Sequence, residues 1–69
     1  MKHNEIFKIY IPKQKAEFAV IGLVDLGHQT VMFQGLLNGI PFTENADYQK
    51  IRARVLKAVD MNSNNDRGN

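Results

Sequence analysis

Residues 17–25 read Glu-Phe-Ala-Val-Ile-Gly-Leu-Val-Asp. Successive side chains of a strand point to opposite faces, so this run sets Phe18, Val20 and Val24 on one side and Ala19, Ile21 and Leu23 on the other. A strand that is apolar on both faces needs cover on both. The chain has little material to supply it. It is 69 residues long and has no cysteine, so neither a disulfide nor a thiolate-bound metal can stand in for a core. A domain of this size buries only about 60% of its unfolded surface. Gly22, inside the run, marks a bulge or a close backbone approach.

The remaining elements follow from pattern and punctuation. Residues 5–11, Glu-Ile-Phe-Lys-Ile-Tyr-Ile, form a first strand stopped by Pro12, with Phe7, Ile9 and Ile11 on one face and Ile6, Lys8 and Tyr10 on the other. Asp25-Leu26-Gly27-His28 is the hairpin turn that follows the second strand, with Gly27 supplying a positive φ. Residues 29–37 fit two periods. Thr30-Val31-Met32-Phe33 suits a third strand, while Met32, Phe33, Leu36, Leu37 and Ile40 also fall at helical spacing. The strand is preferred because a short hairpin loop leads directly into it. Asn38-Gly39 and Pro41 mark a further turn.

Thr43 or Asn45 can then cap a helix over about 44–60, with Tyr48, Ile51, Val55, Ala58 and Val59 as its apolar stripe and Leu56 beside it. Glu44 and Asp47 lie near its positive start, Arg54 and Lys57 toward its negative end. Residues 62–69 contain no apolar side chain and are expected to form a disordered tail beyond a single domain at 1–61. The predicted fold is α+β: a three-stranded antiparallel meander at about 5–11, 17–25 and 29–37, crossed by one C-terminal amphipathic helix.

A helix of about 16 residues is roughly 24 Å long and covers one face of such a sheet. The other face, with Ile6, Tyr10, Ile21 and Leu23, is then expected to meet another protein or a second copy of the chain, unless twist and a partly buried rim absorb it. Met32, Phe33, Leu36 and Leu37 are assigned to core packing rather than to a partner-binding patch.

Catalytic patterns are sparse. Ser63, in the expected tail, is the only serine, and His3 and His28 are far apart in sequence. Asp25 and His28 are spaced for a hydrogen-bonded pair within the turn. The carboxylates Glu5, Glu17, Asp25, Glu44, Asp47, Asp60 and Asp66 have no acid–base spacing, and the glycines match neither a dinucleotide fingerprint nor a phosphate loop. The expectation is a protein that is not an enzyme, with no catalytic, cofactor or metal residues.

Nine Lys and Arg stand against seven Asp and Glu, for a net charge of +2. Lys50, Arg54 and Lys57 make one basic helix stripe, and Lys13 and Lys15 cluster in the first connector. They are candidate phosphate contacts, although a solvated outer helix face is the more ordinary reading of the stripe. No apolar run is long enough to span a membrane, and Lys8 interrupts any leader-like core, so a cytoplasmic location is expected.

The functional expectation is a protein-binding regulator or inhibitor, of the phage- or plasmid-encoded kind that includes antirepressors and anti-defence proteins. It would occlude a functional site on a larger partner such as a DNA-binding regulator or nuclease, with Lys50, Arg54 and Lys57 steering association. The alternative is a small dimeric nucleic-acid-binding protein using the same stripe with Lys13 and Lys15.

Overall fold

The computed structural model describes residues 2–65, with side chains placed for residues 4–62. Four antiparallel strands lie side by side in chain order: β1 (Lys2–Ile11), β2 (Ala16–Asp25), β3 (Thr30–Leu37) and the short β4 (Ile40–Pro41). One helix, α1 (Tyr48–Asn65), follows. The α+β meander is therefore present, extended by β4, and residues 30–37 are strand. Local chemistry makes this choice: Asn38 and Gly39, both at positive φ (53° and 81°), form the Asn-Gly turn that joins β3 to β4.

A one-turn 3-10 segment (Pro12–Gln14) joins β1 to β2, closed by Lys15 in the left-handed region at φ 51°. The β2–β3 turn is built differently from expectation. Its positive φ falls on Gln29 (53°) rather than on Gly27. The Asp25 carboxylate organises the turn instead, accepting hydrogen bonds from the backbone N–H groups of Gly27 (3.1 Å) and His28 (3.3 Å).

Helix α1 starts later and ends later than 44–60. Asp47 is the cap, its Oδ1 accepting the Lys50 N–H at 2.9 Å. Thr43 is occupied elsewhere, its Oγ1 accepting the Gly35 N–H at 2.9 Å and donating to the Glu44 carbonyl. Replacing Asp47 by alanine is expected to cost about 1 kcal/mol of stability, measurable as a fall in the urea midpoint. At the far end, residues 62–65 join the helix. Asn62 continues the packed stripe four residues after Ala58 and donates its amide to the Ala58 carbonyl at 2.8 Å. Residues 66–69 of the expected tail lie outside the described residues. Arg54 and Lys57 consequently sit in mid-helix rather than at its negative end.

The core lies between α1 and one sheet face: Ile11, Ala16, Phe18, Val20, Ile51 and Val55, with Phe7, Phe33, Leu37, Phe42, Tyr48, Ala58 and Val59 packed around them. Gly35 is the point of closest approach. A Cβ there would stand 2.8 Å from Val55 Cγ2 and 2.9 Å from Thr43 Cγ2, so only glycine lets the helix settle on β3.

Candidate interaction surface

The helix does not run the length of the sheet. Its first residue, Tyr48, packs edge-on against Phe33 with ring centroids 5.3 Å apart, and the core cluster lies from there toward the β1–β2 turn. Beyond Phe33 the β2–β3 hairpin continues through Val24, Val31 and the tip with no helix above it. This offset gives the molecule its elongated form, 48 Å long and 18 by 15 Å across.

The overhang is apolar. Leu26 is 72% exposed, Val31 52%, Ile6 45% and Met32 40%. Val24 and Val31 are cross-strand partners, and parity puts them on the helix side with Gly22 and Phe33. Ile6 joins them through a bulge. The β1–β2 register slips between Glu5 and Phe7, so Ile6 has no partner on β2. Its Cδ1 lies 3.6 Å from where a Gly22 Cβ would be. Ile6 thus belongs to the helix side, not to the face opposite Phe7, because the extra residue breaks the two-residue alternation. The bulge expected at Gly22 lies across the ladder, on β1. The result is a shelf of Ile6, Val24 and Val31 floored by Gly22, with Leu26 at its tip.

The opposite sheet face is less open than alternation suggested. Leu23 and Ala19 are buried and Ile21 is half-buried, while Tyr10 remains exposed. Three charged side chains form an ion-pair cluster on this face. Lys8 Nζ lies 3.1 Å from Glu5 and 3.7 Å from Glu17, and Lys8 is cross-strand to Ala19. The Glu5 hydrogen bond, followed by the Glu17 charge, holds the Lys8 ammonium above its ordinary pKa. Of the four apolar candidate partner-binding residues, Ile6 and Tyr10 present surface, Ile21 some and Leu23 little.

The basic stripe is partly neutralised within the chain. Glu44 meets Arg54 at 2.8 Å and Lys50 at 3.3 Å. Its carboxyl is held below the ordinary range first by a backbone N–H and then by Lys50. Lys57 lies further along α1, and Lys13 and Lys15 are exposed at the β1–β2 turn.

At the hairpin tip, His28 Nδ1 is 2.8 Å from Asp25 Oδ2. This contact, ahead of the turn's backbone N–H groups, lowers the Asp25 pKa. The expected turn pair is therefore formed, on an open surface. The side chains of His3 and Ser63 lie outside those described. Among the described residues no three His, Asp or Glu side chains converge as a metal site, and no concave pocket is present. Among the described residues no helix is long and apolar enough to cross a membrane.

Sequence reading missed Val24, Val31 and Leu26. They alternate like core residues, and nothing in the alternation tells where the helix stops covering the sheet. No protein family model matches this chain, and neither a curated protein nor a solved structure shows significant similarity to it.

Proposed function

We propose that the chain is a non-enzymatic protein-binding regulator that acts by occupying a site on a larger partner in the cytoplasm. The observation that carries this reading is the helix-side shelf of exposed Ile6 and Val31 with half-buried Val24 at the end of an elongated molecule, with Leu26 exposed beyond it. Tyr10, Ile40 and Met61 are exposed elsewhere, but a contiguous apolar patch such as this shelf marks a recognition surface. The projecting hairpin has the shape of a wedge that enters a concavity in the partner. Stoichiometric blockade of this kind is the mode of small phage- or plasmid-type antirepressors and anti-defence proteins, and a DNA-binding regulator or nuclease is the partner class proposed.

The nucleic-acid alternative loses support from Glu44, which engages two of the three stripe cations. It predicts binding that falls steeply with salt.

The test compares the chain with a Val31→Glu variant, which alters an exposed side chain and leaves the core intact. Proteins captured from a bacterial or phage-infected lysate by the former and not by the latter are purified and titrated by calorimetry. The expected result is a stoichiometric complex with negative ΔCp, weakened at least about tenfold by Val31→Glu. Equal capture by both chains, or tight salt-sensitive binding to DNA or RNA, would overturn the reading.

A further inference from the structure

The sheet's two edges are treated differently. On the β3 side every position from 33 to 37 is occupied. Phe33 exchanges both backbone hydrogen bonds with Ala46 (2.7 and 3.0 Å), the Gly35 carbonyl accepts from Phe42 (3.0 Å) and its N–H donates to Thr43 Oγ1. Leu36 and Leu37 pair with β4. On the other side β1 is the last strand, paired with β2 alone.

Backbone parity shows what β1 presents. Glu17 directs its carbonyl and N–H toward Asn38 on the β3 side, so Phe18 directs its own toward β1, where Ile9 is its partner. Alternation then leaves the N–H and C=O groups of Lys8 and Tyr10 pointing outward. The segment between the bulge at Ile6 and the stop at Pro12 is an open template whose helix side carries Phe7, Ile9 and Ile11.

We propose that β1 pairs antiparallel with β1 of a second copy of this chain, in the register that sets Lys8 opposite Tyr10 of the partner copy. Three two-fold registers let the outward groups bond reciprocally. One sets Lys8 against Lys8 and Tyr10 against Ile6, so its ladder runs into the bulge. One sets Tyr10 against Tyr10 and overlaps only residues 9–11 before Pro12 ends the strand. The third sets Lys8 against Tyr10, overlaps residues 7–11 and stops short of the bulge. In it Ile9 meets its own copy on the two-fold axis and Phe7 meets Ile11, so every helix-side pair is apolar. On the other face the exposed Tyr10 ring gains the Lys8 stem, whose charge Glu5 and Glu17 already balance. The interface is isologous, as a closed dimer requires. The product is a continuous eight-stranded sheet with both helices on one side.

The bulge and Lys8 are also the devices by which proteins protect free edges. Here they limit pairing to one register rather than abolish it, because the bulge lies beyond the paired residues and the lysine is already compensated. The contact uses β1 and not the hairpin shelf, so it stands or falls separately from the regulatory reading.

The experiment is sedimentation equilibrium of the 69-residue chain over a dilution series. A mass of twice 7.9 kDa at high concentration, falling to 7.9 kDa on dilution, is expected. Tyr10→Pro removes an outward donor while sparing the β1–β2 ladder. A synthetic chain N-methylated at the Tyr10 amide does the same and keeps the ring. Circular dichroism confirms folding of both, and each is expected to dissociate at least about tenfold more readily, since two hydrogen bonds are lost per dimer. A single mass of 7.9 kDa at the highest attainable concentration overturns the proposal. So does a folded N-methylated chain that dimerises as tightly as the unmodified one.

Discussion

Replacing Phe18 by alanine is expected to leave the chain largely unfolded near physiological temperature. The side chain is 1% exposed, is the third residue of β2, and meets Phe42 edge-on with centroids 5.9 Å apart. Truncating a fully buried phenylalanine costs about 3–5 kcal/mol, because the transfer free energy is lost and the cavity collapses only in part. A chain of this length has on the order of 3–10 kcal/mol to lose. A fall in Tm of more than about 12 °C is the expected reading by circular dichroism. A loss below about 1 kcal/mol would show that the helix is not seated on Phe18.

Gly35→Ala is expected to destabilise by about 1–3 kcal/mol, against the usual sign. Alanine for glycine in an unstrained strand position gains stability by restricting the unfolded chain. At Gly35 the new methyl would meet Val55 Cγ2 at 2.8 Å, Thr43 Cγ2 at 2.9 Å and the Phe42 ring at 3.1 Å, so three neighbours must shift together. Gly22→Ala is the internal control. Its methyl finds the Phe33 ring at 3.5 Å and Ile6 at 3.6 Å, ordinary packing distances, so a neutral or stabilising effect is expected. Combining Gly35→Ala with Val55→Ala is expected to cost less than the sum of the two, since one clash is removed with Cγ2. Urea titrations of the four variants read all of this, and strict additivity of the pair would refute the close approach.

These two positions also show how much of the fold was legible beforehand. Phe18 was readable because alternation along β2 has a physical cause, the pleat, which acts over two residues. Asn38-Gly39 was readable because a two-residue turn with both φ values positive admits few other residue pairs. Gly35 carried a signal without a meaning. Only the approach of Val55, 20 positions along the chain, explains why no side chain stands there.

The interaction surface was legible in outline and misplaced in detail. An excess of apolar strand residues over available cover was legible from alternation alone. The face opposite the helix was expected to hold the excess, yet it carries the Lys8, Glu5 and Glu17 ion pairs and its Leu23 is buried. Uncovered residues sit on the helix side as well, past the point where Tyr48 begins, while Tyr10 and Met32 stay exposed on the opposite face. A bulge of one residue carried Ile6 there. Bulges and helix offsets are set by tertiary geometry, and periodicity is blind to both. The basic stripe misled for a related reason: Glu44 reaches it from a loop, out of step with the helical spacing that defined it.

The overhang of the hairpin beyond α1 has a thermodynamic consequence of its own. Residues between Gly22 and Val31 are held by ladder hydrogen bonds and the Asp25 turn, whereas the rest of β2 and β3 is also pinned by Ile51 and Val55. The free energy needed to open the ladder therefore rises from the tip toward the core, and the tip opens without unfolding the whole. A partner that grips Val24 and Val31 removes those openings. Part of its binding free energy then goes into ordering the hairpin, and the affinity of the complex is set by the stiffness of this short stretch as well as by the contacts it makes.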